Sequence, residues 1–152
     1  MNTKESILPS GAATVTLEVE IDASPDTTWS TMIQEIGHWW RTDFLIFKES
    51  LVMTLEPKLG GLIFETSEGE GTGFVWGRVI RFEPAEHLAF TALIVPPWGG
   101  PAQSVVQISL AASGERGAES TKLSLRDSLI GHLTNEFLSN VQEGWSMLFG
   151  GG

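Results

Sequence analysis

Asp127 and Arg78 are the two residues whose types and predicted positions best suit recognition of a polar group. A strand over about 120–128 with period two places Asp127 on the same face as the apolar Leu123 and Leu125. The same period places Arg78 on the face of its strand that also carries aromatic side chains. Because an arginine and a carboxylate join through two parallel hydrogen bonds, an inward pair could anchor a polar head group. The alternative is that both are solvated, Asp127 at a strand end and Arg78 on the outer face.

The histidines and serines form no catalytic or metal-binding pattern. His38, His87 and His132 fall on a short helix, a strand start and a loop, without the paired spacing of metal ligands. Ser128, His132 and Asp127 could be assembled into a triad, but the glycines that surround a nucleophilic serine are missing. Cysteine is absent, which removes thiolate zinc sites and cysteine nucleophiles. We therefore expect no metal and no cofactor, and we assign no catalytic residue.

The composition describes one acidic domain. The chain has 152 residues and a formal net charge of −10, with only nine Lys and Arg. Because basic side chains that neutralise phosphates supply most of the affinity for nucleic acid, we expect no nucleic-acid partner. Residues 1–11 form a loose polar tail, and no apolar run approaches the roughly 20 residues that span a membrane. We expect a cytoplasmic protein with no membrane partner, consisting of the tail and a single domain over 12–152.

Alternating apolar and polar residues predict seven strands. In the first strand, over residues 13–22, Val15, Leu17 and Val19 fall on one face and threonines and glutamates on the other. The short connecting turns make neighbouring strands antiparallel. The remaining strands are predicted at about 50–57, 60–67, 72–83, 87–95, 103–112 and 120–128.

Helices with apolar faces are predicted at the two ends of this series. Ser24 and Pro25 suit the N-cap and the first position of a helix that ends at Gly37, and residues 38–40 form a further short turn. A longer helix over about 134–149 carries one apolar stripe. The stripe consists of Phe137, Leu138, Val141, Trp145 and Leu148. Because such a helix and a sheet with one apolar face bury each other, we expect a cavity between them.

The order of several short motifs resembles the START/Bet v 1-like (SRPBCC) superfamily, and in particular bacterial proteins similar to the C-terminal domain of the Hsp90 ATPase activator. The resemblance implies an α+β helix-grip fold, with a curved seven-stranded antiparallel sheet wrapped around a long C-terminal helix. It also implies two short helices after the first strand. Its members include lipid carriers, hormone receptors, cyclases and chaperone cofactors, so it does not imply one activity. The motifs are Ala23-Ser24-Pro25 with Trp29, Gly37-His38-Trp39-Trp40, Leu55-Glu56-Pro57 with Gly60-Gly61, Trp76-Gly77-Arg78-Val79, Pro84 with Leu88 and Phe90, and Gly144-Trp145.

Aromatic residues dominate the candidate cavity lining. Each removes on the order of 150–250 Å² from water when buried, so core packing alone explains their presence as well as ligand contact does. In a stiff loop over 95–101, Trp98 could be a lip over the cavity mouth, an anchor for a partner, or a side chain folded back on the sheet. The full ligand-binding set that we predict is Trp39, Trp40, Phe44, Phe64, Trp76, Arg78, Phe90, Trp98, Asp127, Phe137, Val141 and Trp145.

The leading hypothesis is a pocket that binds a small apolar or amphipathic molecule without catalysing a reaction. One alternative is a cyclase or hydratase in which Asp127 or His87 moves protons. Another is an interaction module like the Hsp90 activator, in which Trp98 contacts a protein partner. An enzyme needs an inward titratable group with a shifted pKa, which distinguishes it from a carrier.

Overall fold

The computed structural model describes residues 3–34, 52–66, 71–95, 99–113 and 120–150. These ranges contain seven strands, two α-helices and a terminal π-helical turn. The strands are β1 (Gly11–Ile21), β2 (Val52–Leu55), β3 (Leu62–Thr66), β4 (Gly73–Glu83), β5 (His87–Ile94), β6 (Ala102–Ser113) and β7 (Ser120–Gly131). The helices are α1 (Pro25–Gln34) and α2 (Asn135–Trp145), and the π-helical turn is Ser146–Gly150.

The strands form one antiparallel sheet in the order β1-β7-β6-β5-β4-β3-β2. From β2 to β7, each strand pairs with the next strand in the sequence. β1 instead pairs with β7 along its whole length, from Gly11 opposite Gly131 to Ile21 opposite Thr121. This confirms the predicted seven-stranded antiparallel sheet. The alternating pattern of burial in β6 and β7 gives an inner, apolar face and an outer, polar face.

Helix α1 begins as predicted. Ser24 accepts a hydrogen bond at its Oγ from the backbone N–H of Thr27 over 3.2 Å, which is the N-cap bond. The buried ring of Trp29 packs edge-on against Phe82 with centroids 5.3 Å apart. The hydroxyl of Thr121 donates to the carbonyl of Ala23 over 2.7 Å, which ties the start of this helix to β7. The second short helix expected at 38–40 lies outside the described residues.

Helix α2 is shorter than the predicted 134–149. Thr134 is its N-cap and accepts at its Oγ1 from the backbone N–H of Phe137 over 3.0 Å. The sequence showed no capping box because position N3 is Phe137 and not a glutamate, although the single cap bond forms without it. The α-helix ends at Trp145 and continues as the π-helical turn. In the described ranges, neither helix is long and apolar enough to cross a membrane.

Strand β4 contains two irregularities that change which residues face inward. Its register shifts once against β3, between Ile63 and Phe64, and once against β5, between Val79 and Arg81. Each β-bulge adds one residue and reverses the alternation beyond it. As a result Trp76, Val79 and Phe82 belong to the core, whereas Ile80 is 47% exposed.

Candidate functional site

Asp127 lies on the inner face of the sheet and is 4% exposed. Its Oδ1 accepts a hydrogen bond from the hydroxyl of Ser104 on the neighbouring strand β6. Its Oδ2 accepts from the indole N–H of Trp145, at the end of α2, over 2.9 Å. The carboxyl group therefore joins the sheet to the C-terminal helix, which are the two walls of the expected cavity.

The surroundings of Asp127 are apolar. It pairs across the sheet with Val106, which is 1% exposed, and lies between Leu125 and Leu129 on its own strand, both 2% exposed. Burial raises the pKa of the Asp127 carboxyl, and the hydrogen bonds from Ser104 and Trp145 lower it in part. The pKa is raised because the charged form loses hydration that two neutral donors do not replace. The group is suited to hold or to exchange a proton on the inner face of the sheet.

A second buried carboxyl group lies at the other end of the inner face. Glu65 on β3 is fully buried, and its Oε2 accepts from the indole N–H of Trp76 over 3.0 Å. Trp76 in turn packs edge-on against Phe74 with centroids 5.2 Å apart. The inner face thus carries two pairs of a tryptophan and a carboxylate, and both tryptophans were predicted site residues.

Sequence reasoning missed Glu65. Period two gives Ile63 and Glu65 one face of β3 and Phe64 the other, and the sequence analysis predicts that the aromatic side chain faces inward. The structure shows the reverse, with Ile63 1% exposed beside Glu65. Phe64 pairs with Val75, which is 49% exposed, so its placement in the cavity is wrong.

Arg78 does not face Asp127, so the expected pair of the two is wrong. Arg78 is exposed on the outer face, and its Nη1 donates to the carbonyl of Gly60 over 3.0 Å. The reason is the irregularity opposite Ile63 and Phe64, which adds one residue to β4. Beyond it the alternation is reversed, so Arg78 faces outward although it lies two residues after the inward Trp76. Its bond to Gly60 supports the turn between β2 and β3, where Glu56 also accepts from the backbone N–H of Leu62 over 2.7 Å.

The remaining predicted residues lie in three settings. Phe90 is 1% exposed in the core. Phe137 and Val141 are half-buried on α2, and a Cβ built on Gly99 would lie 3.1 Å from the Phe137 ring, which places that ring against the 99–101 segment. Trp39, Trp40, Phe44 and Trp98 lie outside the described residues.

The histidines found in the described ranges contact groups other than Asp127. The Nδ1 of His87 lies 3.1 Å from the hydroxyl of Ser109, its neighbour on the outer face, so a cavity role for His87 is wrong. The Nδ1 of His132 lies 2.7 Å from the carbonyl of Pro9 and fastens the N-terminal segment to the end of β7. Within the part of the chain that the structure describes, no group of three or more His, Asp or Glu residues could hold a metal ion.

Comparison with solved structures identifies the fold. A protein from Rhizobium leguminosarum matches with a TM-score of 0.66 at 13% identity, over 94% of this chain and 93% of that one. The allergen Ara h 8.0201 matches with a TM-score of 0.63 at 13% identity, over 92% and 94%. Norcoclaurine synthase from Thalictrum flavum matches with a TM-score of 0.55 at 10% identity, over 91% and 86%. No protein-family model and no curated protein sequence matches the chain.

These neighbours show that the chain has the Bet v 1-like (SRPBCC) fold. At these identities the likeness covers the fold and not the activity.

Proposed function

We propose that the protein binds a small apolar or amphipathic molecule between the inner face of the sheet and α2, with Asp127 holding its polar group. The observation that carries the proposal is the buried Asp127 carboxyl, which receives one hydrogen bond from each wall. Apolar burial against the sheet would provide most of the affinity, and the carboxyl group would fix the orientation.

Asp127 keeps capacity for a ligand after these two bonds. Each carboxylate oxygen can accept about two hydrogen bonds, and Ser104 and Trp145 each use one. A hydroxyl or amine head group could supply a further donor, and a protonated Asp127 could donate to a carbonyl. A group with this versatility in an apolar wall favours an amphipathic ligand over a purely apolar one.

Two further observations support the proposal. The apolar stripe of α2 remains half-buried at Phe137, Val141 and Trp145, which leaves apolar surface available to a ligand. Trp145 stacks on Phe149 with ring centroids 5.9 Å apart and an angle of 12° between the rings, which gives the helix end a rigid aromatic wall.

The test is competition between the neutral fluorophore Nile red and 1-decanol, whose hydroxyl group can donate to Asp127. We expect the wild type to shift Nile red emission to the blue and decanol to displace the dye. Asp127→Asn should weaken decanol about tenfold, because a hydrogen bond to a charged group contributes roughly 1.5–3 kcal/mol. Asp22→Asn removes the same charge from an exposed position and is the matched control.

Two results would contradict the proposal. An unshifted dye in the folded wild type would mean that no apolar site exists. Equal decanol affinity in Asp127→Asn and Asp22→Asn would mean that Asp127 is not the anchor. Circular dichroism on each variant establishes that it is folded, and Ser104→Ala provides a milder change at the same carboxyl group. Native mass spectrometry of protein purified from its own host would then identify the molecule.

A cyclase or hydratase acting in the same cavity is the second candidate, and the raised pKa of Asp127 favours it. Norcoclaurine synthase, an enzyme of the same fold, has been solved with a transition state analogue, at a TM-score of 0.52 and 14% identity. Turnover would require Asp127 to exchange a proton with the substrate, so activity would be lost in Asp127→Asn. The interaction module based on Trp98 and the cytoplasmic location stay predictions.

A further inference from the structure

The outer face of the sheet carries a polar groove with a volume of about 280 Å³, on the side opposite Asp127. It crosses the central strands, and the register explains its shape. In one row across the sheet, Arg81 pairs with Ala89, Ala89 with Gln107, and Gln107 with Arg126. The short Ala89 side chain leaves a depression between longer neighbours.

The next row along the strands supplies the rest of the floor. Ser109 pairs with Ser124, and both are half-buried beside the exposed Gln107 and Arg126. Small hydroxyl-bearing side chains thus form the floor. The rim carries the donor groups of Arg81, Gln107 and Arg126, together with His87 and the carboxyl group of Glu18. The groove is built for a polar ligand.

The charged groups of the groove are not equally engaged. Arg81 forms an ion pair with Glu83 over 2.6 Å, and Glu18 lies 3.6 Å from Lys122. In the described ranges, neither the guanidinium of Arg126 nor the amide of Gln107 has a side-chain hydrogen bond or an ion pair. Since they face each other on adjacent strands, their Cβ atoms lie roughly 5 Å apart. Two unengaged donor groups therefore stand side by side on the outer face.

We propose that this groove is a second binding site, specific for a small organic anion that carries a carboxylate or phosphate group. Arg126 binds two oxygens of this group through its planar fork, and Gln107 and Ser124 donate further hydrogen bonds to the same group. The volume lies near the lower end of the range for ligand pockets, which fits a metabolite and not a macromolecule. The site does not depend on the inner cavity, because the sheet separates the two.

The overall charge of the chain excludes large polyanions as ligands of this groove. With a net charge of −10, the chain repels polyanions at long range, so nucleic acid and anionic membranes are poor occupants. A small anion is attracted only by the local pair of donors. The matched control lies on the same face, because Arg78 is also an exposed arginine but is bonded to Gly60 and lies outside the groove.

The test is a titration of ¹⁵N-labelled protein with inorganic phosphate and, separately, with succinate, followed by NMR at constant ionic strength. We expect shifts confined to amides of β6 and β7 around Gln107 and Arg126. We also expect Arg126→Gln to weaken binding about tenfold or more, while Arg78→Gln leaves it unchanged. A response to one anion alone identifies which oxyanion the site prefers. Shifts absent with both anions, or equal losses in the two variants, would overturn the proposal.

Discussion

The indole N–H of Trp145 donates to Oδ2 of Asp127 over 2.9 Å, so one hydrogen bond links the end of the C-terminal helix to the last strand. Both partners were expected in the cavity, but the bond between them was not. It gives Trp145 a reason to be tryptophan, because phenylalanine would fill similar space without donating. It also makes the position of α2 sensitive to the state of one carboxyl group.

The stability of the protein should depend on pH through Asp127. Its pKa is raised in the folded state above the value of about 3.9 expected for an unfolded chain, so the folded protein binds the proton more tightly. The contribution of this group to stability is therefore fully present below the unfolded pKa and is lost as the pH rises through the folded pKa. Urea unfolding of the wild type and Asp127→Asn at several pH values isolates the effect. The free energy of unfolding of the wild type minus that of the variant should fall as the pH rises, and a flat difference would contradict the raised pKa.

Trp145→Phe should destabilise the protein by roughly 1–3 kcal/mol, because it leaves Oδ2 of a buried carboxyl group without its donor. The loss should be concentrated at the C-terminal helix. Hydrogen exchange monitored by mass spectrometry would show faster exchange in α2, with β3 and β4 little changed. Ser139→Ala, at an exposed position of the same helix, is the control. Unchanged exchange in α2 would show that the bond does not hold the helix.

Gly77→Ala should be among the most damaging single changes in the sheet. A Cβ at this position would fall on the carbonyl oxygen of Thr91, which is backbone and cannot move aside without breaking the pairing of β4 with β5. We expect a loss of at least about 3 kcal/mol, at the upper end of the range for point substitutions. Gly11→Ala is the matched control, since nothing lies within 4 Å of its added Cβ. Thermal unfolding of the two variants checks this: the midpoint temperature should fall strongly in Gly77→Ala and stay close to that of the wild type in Gly11→Ala.

Glu56→Ala should weaken the turn between β2 and β3 without affecting the cavity. It removes the acceptor for the backbone N–H of Leu62, and the expected cost is about 1 kcal/mol. Arg78→Ala should act on the same turn through Gly60. Both variants should bind Nile red with wild-type affinity. A large loss of dye binding in Arg78→Ala would show that Arg78 contributes to the ligand site after all.

Local rules were sufficient to predict the strands and the first helix. Ser24 and Pro25 begin α1 because side-chain capping and a fixed φ depend only on neighbouring residues. The face of Asp127 was also predictable, because β7 keeps strict alternation from Thr121 to Leu129. The contribution of Asp127 to ligand binding stays a prediction.

The errors arose where alternation is interrupted by contacts that are distant in sequence. A bulge is defined by two strands together, so β4 alone gave no indication that Arg78 had left the face of Trp76. Glu65 was missed because a carboxyl group is ordinarily solvated, and its buried partner Trp76 becomes known only from the pairing of β3 with β4.

The pairing of β1 with β7 has a consequence for the order in which the chain folds. β1 ends at Ile21 and β7 begins at Ser120, so nearly the whole domain must be synthesised before the first strand finds its neighbour. Closing so long a loop is slow, because its entropy is lost before the contacts that compensate for it form. At about 5–20 residues per second, the apolar side of β1 stays exposed for several seconds on the ribosome. The acidic and threonine residues that alternate along β1 give the unpaired strand one polar side during this interval.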